Sequence, residues 1–321
     1  MAKTIWRQLL LAGLCLSAFG AAADSGGIPT RIVVASAPGG NIDVLARILA
    51  EKLSVAQKRS YIVENRPGAG GNIATAQVAH ARPDGRTLLV VSTSHTSNVH
   101  VYKRVGYDPI KDFTPIAKLA ESAFVVAVPS DSDITSLADL EKVAKNRPGL
   151  LNYGSSGIGQ GNHLGMEMLN ARLGIKMTHV PFLSANALVT ALVGKQVDVA
   201  MLTLPGAFMG VKAGKLRLLA VTSQKRVEQL SNVPTIEEKI GGDFVMTSWQ
   251  GLVAPAGLPA KDAAELSKQV ANVMAQPDVI GALDKIALTP QVSTPAAFGQ
   301  FLVKETNRWG DVAKQSNIKM E

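Results

Sequence analysis

The chain has 321 residues, and its 33 basic and 25 acidic side chains give it a formal net charge of +8. Aromatic residues make up only 5% of the chain and its basic residues are scattered, which excludes the clustered basic surface typical of a nucleic-acid-binding protein. The single cysteine, Cys15, excludes a disulfide framework and a thiolate metal site. The mild excess of positive charge favours an anionic ligand through long-range attraction.

The first 23 residues have the pattern of a secretory signal peptide. Lys3 and Arg7 precede the uncharged apolar segment Leu9–Phe19, and Ala21–Ala23 provides small residues for cleavage. The apolar segment is too short for a comfortable membrane span. We therefore predict cleavage near Ala23 and export to the periplasm.

The mature chain expected after this cleavage runs from Asp24 to Glu321. It has 298 residues (321 minus 23), which favours two domains over one. Leu14 stands immediately before Cys15, where lipid attachment requires a small residue, so we expect a soluble mature protein without cysteine.

Strand-like and helix-like segments alternate along the mature chain. The short apolar segment Arg31–Ser36 predicts a strand, and it leads through a Pro-Gly-Gly turn into a helix with one apolar face, formed by Ile42, Leu45, Ala46, Leu49 and Leu53. Further strands are predicted at Thr87–Thr93, Phe124–Pro129, Leu151–Gly154, Thr178–Phe182, Val197–Thr203, Leu216–Thr222 and Gly251–Pro255. Helices are predicted from Ser136 to Arg147, over Glu265–Gln276 and over Ala296–Ser316. This alternation predicts an α/β fold with mostly parallel sheets flanked by helices.

One arrangement occurs twice: a strand, a glycine-rich turn and a helix, at 31–53 and again at 150–173. Two copies predict two similar domains that face each other across a cleft. We expect the chain to cross between them near Ala127 and Thr247. Domain 1 would then comprise 24–126 plus 247–321, and domain 2 would comprise 127–246.

The first glycine turn, Ala37–Asn41, precedes a helix. A helix start has unpaired backbone N–H groups and a partial positive charge, so it attracts anions, and glycines let a ligand approach the backbone closely. No third glycine follows at the dinucleotide-binding spacing, and no Gly-Lys-Ser/Thr follows. An ordinary tight turn is an equally good interpretation of this motif alone.

Two other glycine-rich segments are candidates for the same site. Ser155–Gly161 is a long polar segment directly after an apolar strand, and its hydroxyl and backbone groups suit a carboxylate or phosphate. The turn Arg66–Asn72 leads into a helix near Ile73; we expect Arg66 to brace it and Asn72 to line the cleft.

The sequence contains no convincing catalytic arrangement. The histidines lack the zinc-protease spacing, and Gly154–Gly157 is one residue too short for a Gly-x-Ser-x-Gly nucleophile turn. His163, at the start of a helix, either donates to a ligand or fixes the loop before it. We therefore predict a protein without catalytic residues or a bound metal.

Several segments, in order along the chain, are similar to one protein family. They are 31–40 (RIVVASAPGG), 63–72 (VENRPGAGGN), 83–89 (PDGRTLL), 107–115 (YDPIKDFTP), 151–157 (LNYGSSG), 179–181 (HVP), 213–217 (AGKLR) and 220–223 (AVTS). The family is the Bug-type solute-binding proteins of tripartite tricarboxylate transporters, and the resemblance extends from about Arg31 to the C-terminal helix.

The resemblance implies a monomeric two-domain flytrap (periplasmic-binding-protein) fold without cofactor or catalysis, which delivers a small carboxylate to a membrane permease. Such proteins hold a ligand carboxylate largely by backbone amides and ordered waters between the domains. By position, the implied ligand contacts are Ala37, Pro38, Gly39, Gly40, Asn41, Asn72, the loop containing Ser92, Ser94 and His95, and Ser155, Ser156, Gly157, Gln160 and His163.

Three departures from the family pattern bear on the ligand. Asn41-Ile42 stands where Gly-Thr is common, and Phe182-Leu183 stands where a tyrosine and a basic residue are usual. Leu202-Thr203 replaces a typical Asp-Asn pair, which removes a partner for an amino group. We therefore predict a dicarboxylate or aromatic carboxylate without an ammonium group, selected by Phe182, Leu183 and Thr203.

Two alternatives stay open at this point. A periplasmic hydrolase on the same scaffold would need an activated nucleophile or a metal site, neither of which these residues assemble. A ligand-dependent sensor that docks on a signalling receptor differs from a transport receptor only in its partner surface, which the sequence does not distinguish.

Overall fold

The computed structural model describes residues 27–242 and 244–315, so the predicted signal peptide lies outside the described residues. The strands are β1 (Thr30–Val34), β2 (Tyr61–Asn65), β3 (Thr87–Ser92), β4 (Phe113–Pro129), β5 (Asn152–Ser155), β6 (Thr178–Pro181), β7 (Val199–Thr203), β8 (Leu216–Val221), β9 (Thr247–Pro255) and β10 (Thr289–Pro290). The α-helices are α1 (Asn41–Gln57), α2 (Asn72–Ala79), α3 (Thr93–Val101), α4 (Leu137–Asn146), α5 (Gly161–Leu173), α6 (Ala185–Val193), α7 (Leu204–Lys212), α8 (Ile236–Ile240), α9 (Ala260–Met274), α10 (Pro277–Asp284) and α11 (Pro295–Gln315). Two short 3-10 turns lie at Ala69–Gly71 and Glu228–Leu230.

The strands form one curved sheet in the order β2-β1-β3-β9-β4-β7-β5-β6, with β8 and β10 paired to β4. The long strand β4 pairs with different strands along its length. Residues up to Ala123 pair with β9, whereas residues from Phe124 onward pair with β7 and β8. We call the part formed by β1, β2, β3, β9 and β10 with 113–123 the first half, and the part formed by β5 to β8 with 124–129 the second half.

The predicted α/β fold is confirmed, with one refinement. Parallel pairs join β1 to β2 and β3, and β5 to β6 and β7. The pairs made by β4 and β9 are antiparallel, because each of these two strands runs opposite to its neighbours in the sheet. The sheet is therefore mixed, with parallel outer parts and an antiparallel centre.

Apolar periodicity explains how the helices cover the sheet. The predicted face of α1 is confirmed, since Leu45, Ala46, Leu49 and Leu53 are fully buried. They pack in one core with Ile32 and Val34 of β1. Burying a leucine side chain contributes about 1.5–3 kcal/mol, so this face fixes α1, and hence its N-terminus, against the sheet.

The structure differs from the predicted elements in several places. β4 begins at Phe113, eleven residues before the predicted strand. The sequence pattern misses this first part because Pro115 and Lys118 interrupt its apolar residues. The sheet accommodates both positions by shifts in the pairing of β4 with β9. The sequence pattern does not predict β2. The segment Ser92–His95 is the start of a helix rather than a loop, since Ser92 ends β3 and α3 begins at Thr93.

The last helix joins the two halves. Phe298 and Leu302 of α11 pack in a core with β1, β3 and β9, whereas Trp309 and Val312 pack in a core with Tyr153 of β5. The division into two domains, with 247–321 assigned to the first, therefore stays a prediction. The change of strand pairing at Phe124 lies three residues before the predicted crossing at Ala127.

Candidate ligand-binding site

Helix starts gather at the carboxyl ends of the strands. β1 leads through the Ala37–Gly40 turn into α1, and β3 leads directly into α3. In the second half, β5 leads through a loop into α5, and β7 leads directly into α7. Ligands in open α/β sheets bind at this edge, because the loops and helix N-termini meet there.

The starts of α1, α3 and α5, and of α2 after β2, have no side-chain cap; their N-cap residues are Gly40, Ser92, Gln160 and Gly71. By contrast, Ser184 caps α6 and Thr203 caps α7 through a hydrogen bond to a backbone N–H. The first N–H groups of a helix have no partner within it. The uncapped starts therefore present several free donors, and their partial positive charge suits an anion.

A carboxylate inside the protein fixes the first turn. Gly39 N donates to Asp43 Oδ2 at 2.9 Å, so this amide is already used. Arg47 Nε and Asn65 Nδ2 also donate to Asp43, at 3.0 and 2.9 Å. Burial favours a higher pKa for Asp43, but hydrogen bonds from Arg47, Gly39 and Asn65 outweigh it and hold the pKa below its ordinary value. Asp43 is therefore a structural anion, and the amides beyond Gly39 stay available.

The turn before α2 lies beside the first turn. Arg66 braces it by donating from Nη1 to Gln77 Oε1 of α2, while its Nε donates to Glu64 Oε1 at 2.7 Å. Asn72 is buried, and its Oδ1 accepts from Asn98 Nδ2 at 2.7 Å. Asn72 Nδ2 has no hydrogen-bond partner among the described residues. Asn72 thus supports the packing of α2 on α3 and retains an unused donor.

The side chains of the predicted site residues Ser92, Ser94 and His95 do not all lie together. Ser92 Oγ and Ser94 Oγ lie 3.3 Å apart at the start of α3. The imidazole of His95 is buried, stacks on Tyr107 and bonds to Pro109 O at 2.9 Å. Burial lowers the pKa of His95 to about 4. The structure therefore places the His95 side chain in the core of the first half, not at the strand ends.

The loop after β5 is held mainly by its own side chains. Ser155 is fully buried; its Oγ donates to Gly157 O at 3.1 Å and lies 2.7 Å from His179 Nε2. Ser156 Oγ donates to Asn162 Oδ1 at 3.2 Å. Ser155 is thus a loop-bracing residue, whereas the partly exposed Ser156 and Gly157 lie at the loop surface.

The stacked imidazoles of His163 and His179 contact the two ends of this loop, at Gly159 and Ser155. The rings of His163 and His179 have centroids 4.0 Å apart. Burial, with a smaller contribution from His179, lowers the pKa of His163 to about 3, and burial lowers that of His179 to about 4. Gly159 N donates to His163 Nδ1 at 3.2 Å, which requires this nitrogen to be unprotonated. Of the two roles left open for His163, the structure shows the loop-fixing one.

The loop after β5 contacts the first half directly. Gln160 Nε2 donates to Gly70 O at 3.2 Å, and Ser97 Oγ donates to Gly159 O at 2.7 Å. Gly159 has a φ of +79°, and a Cβ there would lie 2.6 Å from Asn98 Oδ1, so glycine is favoured at this close approach. These contacts bring the start of α5 close to the turn before α2.

The side chains of the three predicted selectivity residues have different surroundings. The Phe182 ring packs against Gly154 in a core with Leu188. Leu183 is fully exposed, and Thr203 uses its Oγ1 to accept from Gly206 N at 3.2 Å. The backbone N–H of Phe182 donates to Ser155 O at 2.8 Å, at the residue where the loop after β5 begins.

Three buried polar residues of the central strands are not predicted as site residues by the sequence pattern. Gln250 and Ser248 of β9 and Ser122 of β4 are buried near the end of β3. The sequence feature that could have indicated them is the pair of polar residues Ser248 and Gln250 directly before the apolar segment Gly251–Pro255.

Other features involve no predicted site residue or are absent from the described residues. Two surface cavities, of about 210 and 450 Å³, lie on the second half near Phe208 and Ser136, and neither is lined by a predicted site residue. Within 27–242 and 244–315, no three His, Asp or Glu side chains are placed to hold a metal ion. No helix in these ranges is both long and apolar enough to cross a membrane.

Comparison with known proteins shows the family of the chain. Residues 45–318 match the model of the tripartite tricarboxylate transporter family receptor. The chain is 34% identical over 282 residues, 88% of this chain and 84% of the relative, to a UPF0065 protein in the tcbD-tcbE intergenic region of Pseudomonas sp. (strain P51).

Two solved structures are also similar. The adipate-bound protein Rpa4515 of R. palustris is 33% identical, with a TM-score of 0.86, covering 91% of this chain and 98% of that one. The periplasmic binding protein BugD is 29% identical, with a TM-score of 0.84, covering 91% of this chain and 99% of that one. The predicted resemblance is therefore confirmed, and the chain belongs to the receptor family of the tripartite tricarboxylate transporters as a Bug-type solute-binding protein.

Proposed function

We propose that this protein is a periplasmic receptor that captures a small dicarboxylate between the two halves and delivers it to a tripartite tricarboxylate-type permease. Its signal peptide would be cleaved near Ala23, and the mature receptor would act as a monomer. One ligand carboxylate would contact the backbone at Gly40-Asn41 and the surface of the loop after β5, at Ser156 and Gly157. The adipate bound by the relative Rpa4515 supports this ligand class.

The observation that carries the proposal is the cluster of uncapped helix starts. Each start contributes roughly 0.3–2 kcal/mol toward an anion. Micromolar affinity requires about 8 kcal/mol. Hydrogen bonds from the loop after β5 and removal of water on closure must therefore supply the remainder. The contact of Gln160 with Gly70 shows that the two sides come within hydrogen-bond distance.

The electrostatics favour a ligand without an ammonium group. The carboxylate nearest the first turn, Asp43, already accepts from Gly39, Arg47 and Asn65. Position 203 is a threonine whose hydroxyl caps α7. An ammonium group would thus lack an uncommitted carboxylate at either helix start. Because Leu183 lies in solvent and Phe182 packs inward, a dicarboxylate is also favoured over an aromatic acid.

The geometry argues against hydrolase chemistry at the one Ser–His pair of this loop. Ser155 Oγ lies 2.7 Å from His179 Nε2, but Ser155 is fully buried and its Oγ also bonds within the loop. A nucleophile must reach the reacting carbon of a substrate. The family to which the chain belongs consists of solute-binding proteins.

A thermal-shift panel of mono-, di- and tricarboxylates on the mature protein tests the proposal. A ligand present at 100 times its Kd stabilises the native state by about 2.7 kcal/mol. Gly40 is the best position for a blocking variant, since a Cβ there meets nothing within 4 Å, whereas Gly39 has a φ of +86° that strains any other residue.

We expect Gly40→Leu to abolish the ligand-induced shift while the protein still folds. Gly281→Leu is the matched control, because a Cβ at Gly281 also meets nothing within 4 Å and it lies in α10, away from the helix starts. An unchanged shift in Gly40→Leu, or no shift with any carboxylate in the wild type, would contradict the proposal.

A further inference from the structure

Four polar side chains lie together on the central strands of the first half. Ser92 of β3 pairs directly with Gln250 of β9, and Ser122 of β4 pairs directly with Ser248 of β9. Residues directly opposite on antiparallel strands share a face, as do residues two apart on one strand. Ser92, Ser122, Ser248 and Gln250 therefore lie on one face of the sheet, and we call them the polar patch.

The topology places the polar patch beside the start of α1. Leu252, two residues after Gln250, packs in the same core as Leu45 of α1, so the patch lies on the face that α1 covers. β1 and β3 are parallel, and Ser92 is the last residue of β3. The patch therefore lies at the edge where β1 leads into the Gly39-Gly40 turn, which is the edge proposed to bind the ligand.

Two atoms of the polar patch have no hydrogen-bond partner among the described residues: Gln250 Oε1 and Ser122 Oγ. Gln250 is fully buried and Ser122 is 6% exposed. Gln250 Nε2 donates to Ser248 O at 3.4 Å. Because a backbone carbonyl only accepts, this contact fixes the orientation of the amide and leaves Oε1 as the free acceptor.

Such atoms are costly in the interior. A buried polar atom without a partner costs about 1–3 kcal/mol. The residues that continue these strands on the same face, Val90, Leu252 and Ala120, are apolar, so apolar side chains fit this environment. Packing therefore does not explain why these positions are polar, whereas a ligand that pairs with the free atoms does.

We infer that the polar patch binds a hydroxyl group of the ligand, so that the receptor prefers hydroxycarboxylates. This inference rests on the proposed function. Gln250 Oε1 accepts hydrogen bonds and thus repels a carboxylate oxygen but suits an O–H donor, while Ser122 Oγ both donates and accepts. None of the four side chains carries a charge to neutralise an ammonium or a second carboxylate. A neutral hydroxyl is the ligand group that matches both free atoms.

Matched ligand pairs test the inference on the mature protein. Calorimetric titrations would compare succinate with malate, glutarate with 2-hydroxyglutarate, and adipate with 2-hydroxyadipate, using both enantiomers. We expect the hydroxylated member of the best-fitting pair to bind about tenfold more tightly, as one additional hydrogen bond to an otherwise unpaired group would give.

Two variants assign the preference to the patch. Gln250→Met and Ser122→Ala should each reduce the preference for the hydroxylated acid to about twofold or less. Ser267→Ala is the control, because Ser267 is equally buried but lies on α9. Thermal unfolding of the ligand-free variants checks their folding, and the two variants together guard against misfolding of either one.

The outcomes separate the inference from the proposed function. A hydroxyl preference lost in Gln250→Met and Ser122→Ala supports the inference. Tight binding of unsubstituted acids with no preference for hydroxylated ones overturns the inference and leaves the proposed function standing, as does a preference that both variants retain. Failure of every carboxylate to bind overturns the proposed function itself.

Discussion

Gln160 Nε2 donates to the backbone carbonyl of Gly70 at 3.2 Å, and this hydrogen bond links the start of α5 to the turn before α2. Ser97 Oγ makes a second link, to Gly159 O at 2.7 Å. Neither link involves a charged group, and both occur where the two halves meet. If ligand capture requires the halves to approach, these hydrogen bonds stabilise the closed form and contribute to affinity.

The first prediction concerns Gln160. Its side chain does not cap α5, so Gln160→Ala removes the contact with Gly70 without disturbing the helix start. We expect the variant to bind the carboxylate ligand about two- to tenfold more weakly, since a neutral hydrogen bond contributes about 0.5–1.5 kcal/mol. Calorimetric titration measures this. Gln196→Ala, at an exposed residue of the second half, should bind like the wild type, and equal affinities of all three proteins would refute a role of the contact in closure.

The second prediction concerns Asp43. Asp43→Ala removes the acceptor of Gly39 N and leaves the Arg47 and Asn65 donors without it, so the first turn loses its internal support. We expect a loss of about 1–3 kcal/mol in the free energy of unfolding and weaker ligand binding. Denaturant titration and calorimetry check the two effects.

Asp131→Ala provides the comparison for Asp43. Asp131 also pairs with a basic residue, Lys195, but both side chains are more than half exposed. Exposed ion pairs contribute about 0–1 kcal/mol. If Asp43→Ala destabilised the protein no more than Asp131→Ala, the turn would not depend on its internal carboxylate.

The third prediction concerns pH. Burial lowers the pKa of His163 to about 3 and that of His179 to about 4, below the usual value near 6.5. Below pH 6.5 the unfolded chain therefore binds protons that the folded protein does not, so stability falls as the pH falls from about 6.5 toward 4. We expect His163→Asn combined with His179→Asn to flatten the pH dependence of the unfolding midpoint in this range.

His100→Asn is the control for this prediction. Its ring bonds to Thr306 O at 2.8 Å in a half-buried position, away from the loop after β5. This control should keep the slope of the wild type between pH 6.5 and 4. A slope that is the same in the double variant and in the wild type would show that the stacked pair is not the source of the acid sensitivity.

The fourth prediction concerns the helix that joins the halves. Glu305 Oε2 on α11 accepts from the indole N–H groups of Trp249 and Trp309, each at 3.0 Å. Glu305→Ala leaves both buried donors without an acceptor, and we expect a loss of about 2–4 kcal/mol in the free energy of unfolding. Glu305→Gln retains one acceptor and should lose less. Tryptophan fluorescence follows both variants through denaturation, and equal stability of Glu305→Ala and wild type would contradict the prediction.

Local patterns sufficed to predict much of the fold. The apolar period of α1 identified its buried face because Leu45, Leu49 and Leu53 pack against one sheet. The glycine turns marked the helix starts because few residue types adopt the backbone angles found at Gly39 and Gly71. The predicted strands agree within two residues at most places, since apolar runs bounded by turns describe buried strands well.

Long-range contacts explain what the sequence reasoning missed. The start of α3 shows no apolar period in the sequence, because its buried residues include the polar Thr93, Thr96 and Ser97. Contacts with other segments bury them. The burial of His95 depends on Tyr107 and Phe113, which lie further along the chain. The polar patch is visible only once β3, β4 and β9 are paired, because its members lie up to 158 residues apart in the sequence (250 minus 92).

A crystal structure of the mature protein with its tightest-binding dicarboxylate tests the central claim most directly. We predict one carboxylate of the ligand within about 3.2 Å of backbone N–H groups at Gly40 or Asn41, with the loop after β5 closing over it from the second half. A ligand seated in the surface cavity near Phe208, or held by side chains with no contact to the start of α1, would contradict the account.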